Sequence, residues 1–318
     1  MTEAVTLVIA TKNSGKLIEI DALLKAYPVN MKSLSDFGPI PPVEEDGATF
    51  DDNAYKKAAF TARVLGLPAL ADDSGLVVPA LGGGPGIHSA RYGGDSLIVD
   101  CGPIGPDYQP GHAHCDTLSF ELCVGGSRVV VDSGVYDYEV GPMRDYARST
   151  RAHNTVMVDG VEQSEIWGGF RVARRARPLC AQLSEWQDGQ LRFRGAHDGY
   201  HRIGGGVNHE REFAIQQIGR WEISDRITGR GQHRIESFIH FHPSCAVQEL
   251  SGNDWRITVA GGPILKLSVY GGATRLAQGW YCPEFGKRLP NTVLVIECEG
   301  RLPIECGYVL ERMPAEAP

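Results

Sequence analysis

The chain has 318 residues, an ordinary apolar content of 42% and a net charge of −8. These values exclude wholesale disorder, and the acidic balance argues against general nucleic-acid binding, which usually needs a basic face. No apolar run reaches membrane-spanning length, and the first residues lack the basic region and cleavage site of a signal peptide. We therefore expect a cytoplasmic protein that binds neither membrane nor nucleic acid.

Strand and helix signals alternate in the first part of the chain. Residues 5–10 form a β-branched apolar run that predicts a buried strand, followed by a polar turn over 11–16 and a helical pattern. After a proline-rich loop, residues 49–65 predict a second helix and residues 69–71 a short strand. This alternation is typical of an α/β fold.

The pattern changes after residue 97. Short alternating runs, separated by Gly, Asp and Asn, predict strands at 127–131, 154–158, 191–194, 235–241, 256–259, 264–269 and 293–297. We find no long amphipathic helix in this part. The sequence therefore predicts two folds in one chain, a truncated α/β N-terminal piece followed by an all-β antiparallel sandwich.

The composition also changes along the chain. All eight cysteines lie at or beyond Cys101, all five tryptophans at or beyond Trp167, and nine of the ten histidines beyond residue 100. A domain boundary or a gene fusion would produce such a change. We place the two domains at 1–95 and 96–318.

The front piece contains a candidate phosphate site. In the turn from Thr11 to Lys16, backbone N–H groups and a helix N-terminus can face an anion while a lysine adds charge. The turn does not have the spacing of a P-loop, and an ordinary loop is the alternative interpretation. Four acidic residues, Glu44, Glu45, Asp72 and Asp73, suit Mg²⁺, although each of them is also typical of a solvated loop.

Four segments of the front piece occur in an informative order: TKNSGK, EEDGATFDDNA, LPALADDSGL and LGGGPGIHSARYGG. Over residues 5–94 the chain resembles the non-canonical purine nucleotide pyrophosphatases, which convert inosine or xanthosine triphosphate to monophosphate and diphosphate. The resemblance implies a Mg²⁺ ion held by Glu45 and Asp73, with Asp73 also the general base. It implies substrate contacts from Thr11, Lys12, Asn13, Ser14, Gly15, Lys16 and Ser74. The family's later GFGYDP-like and SHR motifs have no counterpart in this sequence.

The rear piece contains a candidate metal site. His112, His114 and Asp116 alternate as though on one face of a strand. Asp132 follows the run 129–131, and His153 precedes the run 154–158. Two histidines and a carboxylate from neighbouring strands match a zinc site with an open position, whereas strand capping is the alternative for any single residue.

The segments GPDYQPGHAHCDTLSFEL, VVVDSGVYDYE, RSTRAHNTVMVDG and EIWGGFRVARRAR carry a second resemblance. Over residues 96–312 the chain resembles the C-terminal β-domain of the heparinase II/III polysaccharide lyases, which are usually exported. This resemblance implies zinc ligands at His114, Asp132 and His153, and a catalytic histidine at His112. It implies β-elimination of a uronate-containing polysaccharide, for which the family takes further catalytic groups from a preceding α/α-toroid domain that has no counterpart here.

Three arginines, Arg171, Arg174 and Arg175, are candidates for binding an acidic polysaccharide, although an exposed strand of alternating charge is equally compatible. Our first functional hypothesis is a zinc-bound lyase domain fused to a partial pyrophosphatase. The alternatives are a Mg²⁺-dependent purine nucleoside triphosphate pyrophosphatase, and a non-catalytic zinc-stabilised glycan-binding domain or fusion artefact.

Overall fold

A computed structural model describes residues 5–11, 17, 20–21, 24–25, 27–38, 40–41, 43, 49–71, 94–105, 110–185, 191–217 and 219–314. The chain divides into two compact units, Met1–Tyr92 and Gly93–Pro318. Among the described helices, none is both long and apolar enough to cross a membrane.

The first unit contains a parallel sheet in the order β2-β1-β3, made of β1 (Val5–Ile9), β2 (Val29–Ser33) and β3 (Ala69–Leu70). A short 3-10 helix, Leu34–Phe37, follows β2. Helix α1 (Phe50–Leu65) begins at Thr49, whose side chain caps the backbone of Asp52, and ends at Gly66 in the left-handed region. Parallel strands with a helix between β2 and β3 confirm the predicted α/β piece.

The second unit is almost entirely antiparallel β-structure. Its largest sheet has eight strands in the order β10-β11-β12-β13-β20-β17-β16-β15, and a second sheet has four in the order β18-β19-β14-β7. Two small sheets, β4-β5-β6 and β8-β9, lie beside the site described below. Its strands are β4 (Ser96–Val99), β5 (Phe120–Val124), β6 (Ser127–Val130), β7 (Val156–Val158), β8 (Ile166–Gly168), β9 (Arg171–Val172), β10 (Pro178–Glu185), β11 (Leu191–His197), β12 (Asn208–Gln217), β13 (Arg220–Thr228), β14 (Gln232–His240), β15 (Cys245–Ser251), β16 (Asp254–Val259), β17 (Ile264–Tyr270), β18 (Ala273–Glu284), β19 (Lys287–Arg301) and β20 (Ile304–Arg312).

One hydrophobic core joins the two large sheets. Ile223 and Leu267 enter it from the eight-stranded sheet, and Ile235 and Leu294 enter it from the four-stranded sheet. All four side chains are fully buried. Along β13 every second residue is buried, as expected for a sheet that has one face in a core. This packing confirms the predicted antiparallel sandwich.

Helical structure in the second unit is limited to short pieces near the small sheets. Helix α2 (Pro142–Arg148) and two 3-10 turns, Pro110–His112 and Thr150–Ala152, lie between the strands of this part of the chain. The second 3-10 turn ends directly before His153, one of the polar residues described below.

Candidate metal centre

Two loops of the second unit bring their polar side chains together. His114 and Asp116 precede β5, and His153 follows the Thr150–Ala152 turn. One possible ligand atom from each of these residues lies within 4.8 Å of those of the other two. The cluster therefore combines two imidazoles and one carboxylate, which is a donor set that zinc accepts.

His153 is fully buried, and its two ring nitrogens have different surroundings. Nδ1 lies 2.6 Å from Oδ2 of Asp132, and Asp132 in turn accepts the N–H of Gly134 on Oδ1 at 2.9 Å. Nε2 is buried and has no hydrogen-bond partner among the residues that the structure describes. A carboxylate on one nitrogen and an unpartnered second nitrogen are the arrangement of a histidine oriented to bind a metal ion.

The pKa values of the cluster follow from burial and from the pair of His153 and Asp132. Burial opposes the charged form of His153, but Asp132 outweighs burial and raises the pKa of His153 to about 9. In the same way, His153 outweighs burial and holds the pKa of Asp132 below its ordinary value. Burial and the neighbouring His153 lower the pKa of His114 to about 3. His114 is therefore neutral near pH 7, as a metal ligand must be.

Asn154 connects the loops that carry the cluster. Its side-chain amide donates to the carbonyls of Phe120 at 2.8 Å and Val131 at 2.9 Å, and it accepts the N–H of His240 at 2.6 Å. Its own N–H donates to Oγ of Ser119 at 3.0 Å. Asn154 is fully buried, so these bonds hold the segments before β5, after β6 and before β7 in one register.

A buried charged network supports Asn154 from the eight-stranded sheet. Arg211 donates to both oxygens of Asp225, at 2.7 and 2.8 Å, and also to the carbonyls of Asn154 and Leu118, the latter at 2.9 Å. His209 contacts Asp225 at 2.8 Å. The charges of Arg211 and Asp225 are thus paired inside the protein. The same guanidinium also binds the backbone of the loops that contain Leu118 and Asn154, and it therefore connects these loops to the eight-stranded sheet.

Asp116 was not among the zinc ligands implied by the resemblance, which names Asp132 instead. In the structure Asp116 belongs to the ligand cluster, whereas Asp132 contacts Nδ1 of His153. Burial raises the pKa of Asp116 to about 6. Its spacing of two residues from His114 is a signal that sequence reasoning had available.

The prediction that His112, His114 and Asp116 share a strand is wrong. Residues 113–116, all of which the structure describes, are not in a strand, and His112 ends a 3-10 turn. The N–H of Ser119 instead donates to the carbonyl of Asp116 at 2.7 Å, and Leu118 has a φ of 65°. This tight turn uses the backbone groups that a strand would pair, and it turns His114 and Asp116 inward.

His112 lies outside the ligand cluster and is exposed. Its ring packs edge-on against Tyr138, with centroids 5.1 Å apart, and Arg144 lies 5.1 Å from the Tyr138 ring centroid. Cys115, between the two inward residues, donates to the carbonyl of Ser164 at 3.4 Å. Burial raises the pKa of Cys115 to about 12, so that it remains a neutral thiol.

The three arginines proposed for polysaccharide binding have different surroundings. Arg171 lies over the ring of Trp167 at 4.9 Å. Arg174 forms a two-point contact with Glu165, at 2.8 and 3.3 Å. Arg175 is half-buried and lines a cavity together with Arg174.

Of the residues predicted for the front piece, Thr11 is described. It follows β1, and its N–H donates to the carbonyl of Ile9 at 2.9 Å. This position is the carboxyl end of a parallel strand, where ligands of α/β folds usually bind. The residues Lys12, Asn13, Ser14, Gly15, Lys16, Glu45, Asp73 and Ser74 lie outside the described residues, and their roles stay predictions.

Comparisons with known families match both parts of the chain. The family described as Heparinase II/III-like, C-terminal, matches residues 77–309, and the Ham1 family matches residues 7–101. A dITP/XTP pyrophosphatase of Syntrophobacter fumaroxidans is 70% identical over 92 residues, which are 29% of this chain and 40% of the relative. A dITP/XTP pyrophosphatase of Geobacter sulfurreducens is 60% identical over 90 residues, which are 28% of this chain and 45% of the relative.

Two solved structures share the fold of the second unit. The heparan sulfate lyase HepC from Pedobacter heparinus superposes with a TM-score of 0.56 and 16% identity, over 70% of this chain and 33% of HepC. A heparinase III gives a TM-score of 0.55 and 14% identity, over 70% of this chain and 34% of the lyase. The chain thus spans less than half of these pyrophosphatases and about a third of these lyases.

Proposed function

The chain belongs to the heparinase II/III-like, C-terminal family through residues 77–309, and we propose that its second unit is a zinc-bound domain acting in β-elimination on uronate-containing polysaccharides. The observation that carries the metal part of this proposal is the environment of His153. Its Nδ1 is held by Asp132, its Nε2 is buried without a described partner, and two further ligand groups are near.

The donor set fits zinc. His114, Asp116 and His153 would hold the ion, with Asp132 orienting His153 from behind. Three protein ligands also leave a fourth position open. When bound, zinc would supply a fixed positive charge and a cross-link between loops that are distant in sequence.

We assign proton transfer to His112. In β-elimination a base removes the proton next to the uronate carboxylate, the bond to the leaving sugar oxygen breaks, and that oxygen takes up a proton. The ring nitrogens of an imidazole can take up and release a proton, and the His112 ring is exposed to a bound substrate. The guanidinium of Arg144 lies 5.1 Å from the Tyr138 ring against which His112 packs, and its side chain is buried, so it places a positive charge near His112 without reaching the surface.

The test combines metal analysis with a lyase assay on the purified full chain. We expect about one zinc per chain, and unsaturated sugar products, followed by absorbance, from a uronate polysaccharide. His153→Ala should lose the zinc, whereas His112→Ala should keep it and lose turnover. Zinc and glycan binding without turnover would favour the non-catalytic alternative, and no zinc after reconstitution would refute the metal site.

A second function is favoured by the match of residues 7–101 to the Ham1 family and by the 70% identity over 92 residues to a dITP/XTP pyrophosphatase. We propose that the first unit binds the triphosphate of a purine nucleotide through residues 11–16, with Mg²⁺ at Glu45 and Asp73. Release of diphosphate from inosine triphosphate, with and without Mg²⁺, tests this proposal. Lys16→Ala and Asp73→Asn should abolish the release, and activity that persists in both variants would contradict it.

A further inference from the structure

A cavity of about 740 Å³ opens on the second unit, and none of its described lining residues belongs to the metal cluster. Its described lining comes from three segments, 103–105, 173–178 and 198–202. Among the described residues of the lining, four are arginines, Arg174, Arg175, Arg177 and Arg202, and one is a carboxylate, Asp198. We call it the arginine cavity.

The charge of this cavity is opposite to that of the chain. The protein as a whole carries a net charge of −8. A positive concavity in an acidic protein does not follow from the overall composition, and it attracts anions locally. The arrangement therefore points to an anionic ligand.

Backbone contacts fix the shape of the cavity. Arg202 donates to the carbonyls of Gln163, at 2.8 Å, and of Gly199 and Glu162. Because carbonyls are neutral, these bonds hold the guanidinium without cancelling its charge. Elsewhere in the lining, the N–H of Arg177 donates to Oδ1 of Asp198 at 2.7 Å, and the N–H of Asp198 donates back to the carbonyl of Arg177 at 3.1 Å.

We propose that the arginine cavity binds the carboxylate or sulfate-ester groups of an acidic oligosaccharide. Planar guanidinium groups recognise such oxyanions with paired hydrogen bonds. Pro103, Ile104 and Ala176 supply apolar walls against which a sugar ring can pack. The volume lies within the range of roughly 300–1,000 Å³ that is usual for small-ligand sites. This inference rests on the substrate class proposed above and locates where its anionic groups bind.

The test is calorimetric titration of the full chain with two probes, an oligogalacturonate that carries carboxylates only and a sulfated dextran oligosaccharide. The variant Arg175→Gln/Arg177→Gln removes two lining charges. It leaves Arg202, which holds backbone carbonyls, and Arg174, which is paired with Glu165. We expect at least one probe to bind and the double variant to bind it about tenfold more weakly or worse, since each lost bond involved a charged group.

The matched control is Arg226→Gln/Arg234→Gln. It removes the same number of charges from the same unit, at two residues that are 52% and 56% exposed. Binding within about twofold of the unchanged protein is expected for this control. Equal losses in the two double variants would show general charge attraction and overturn the proposal. Failure of both probes to bind the unchanged protein would also overturn it.

Two further measurements are needed. The first identifies the class of ligand that binds the arginine cavity, and the second tests the proposed function independently of that binding. Competition by inorganic sulfate at the same concentration as the probe would overturn binding of an oligosaccharide, as would equally tight, arginine-dependent binding of a single-stranded RNA. Zinc content and lyase turnover are measured on the same preparations. If zinc and turnover are absent but oligosaccharide binding depends on Arg175 and Arg177, the proposed function fails and the arginine cavity stands.

Discussion

Oδ2 of Asp132 lies 2.6 Å from Nδ1 of His153, and this contact determines which nitrogen of the histidine is free for an ion. The carboxylate faces Nδ1, so Nε2, the nitrogen without a described hydrogen-bond partner, is the one that can bind an ion once it gives up its proton. The two residues are 21 positions apart in sequence and come from different loops.

Asp132→Asn should weaken zinc binding about 10- to 100-fold, because an amide neither balances the imidazole charge nor fixes its tautomer as a carboxylate does. Affinity is measured by competition with a chelating dye. Asp159→Asn is the control, because Asp159 makes the same kind of contact with a histidine that is not part of the cluster. Its Oδ2 lies 2.7 Å from Nδ1 of His233. Equal zinc affinity in the Asp132 variant and the unchanged protein would contradict the role of Asp132.

Asn154→Ala should destabilise the second unit by about 2–4 kcal/mol and also weaken zinc binding about tenfold, because the three buried bonds that its side chain makes with Phe120, Val131 and His240 are lost next to the ligand His153. Asn291→Ala is the matched control. Asn291 is also buried and donates to the carbonyl of Phe241 at 3.1 Å. We expect it to lower stability to chemical denaturation and leave zinc affinity of the folded protein unchanged. A change in zinc affinity of equal size in both variants would show that only global stability matters.

The free energy of unfolding should fall as the pH drops below about 6.5, because His197 is buried and neutral in the native state. Nδ1 of His197 accepts the N–H of Gly199, and Nε2 of His197 lies 3.0 Å from Nδ1 of His209. Protonation of His197 on Nδ1 would therefore place its new proton against the N–H of Gly199. Burial, with His209 next in size, holds the pKa of His197 well below 6.5.

The sign of this effect follows from the protons bound by each state. Below pH 6.5 the unfolded chain protonates His197 and the folded chain does not, so acid favours unfolding. One such group gives a slope of about 1.4 kcal/mol per pH unit. Denaturant titrations between pH 8 and 5 measure the slope, and His197→Gln should reduce it by that amount. Asp225, whose pKa is lowered by Arg211, also makes the free energy of unfolding fall in acid, but it does so in a separate range, below about pH 3.8.

Gly134→Ala should cost about 2–4 kcal/mol, because a methyl group there would overlap the carbonyl oxygen of Cys282 and because the residue has a φ of 68°. The displaced backbone also carries the N–H that Asp132 accepts. Gly126→Ala, at a φ of 75° with open space around it, should cost only about 1 kcal/mol. Melting temperatures of both variants measure the difference, and similar values would contradict the steric argument.

The alternating runs of the rear piece predicted the sandwich because each strand has one face in a shared core. The same rule failed at residues 112–116, where the turn at Leu118 takes the backbone away from a strand. The predicted strand 154–158 begins only at Val156, because Asn154 and Thr155 use their side chains to hold neighbouring loops. The sequence also does not reveal that Arg211 points inward and pairs with Asp225. The two residues meet only because β12 and β13 are neighbours in the sheet, and this pairing of strands cannot be read from the alternating polarity of either strand.

The order of the cluster residues along the chain has a consequence for synthesis on the ribosome. The ligands lie between residues 114 and 153, and the residues that hold Asn154 in place come later in the chain. Arg211 and His240 contact Asn154 directly, and Asp225 holds Arg211. A nascent chain exposes its ligands long before it can arrange them. We therefore expect zinc uptake to follow the release of β14 from the exit tunnel, as a late step in the maturation of the protein.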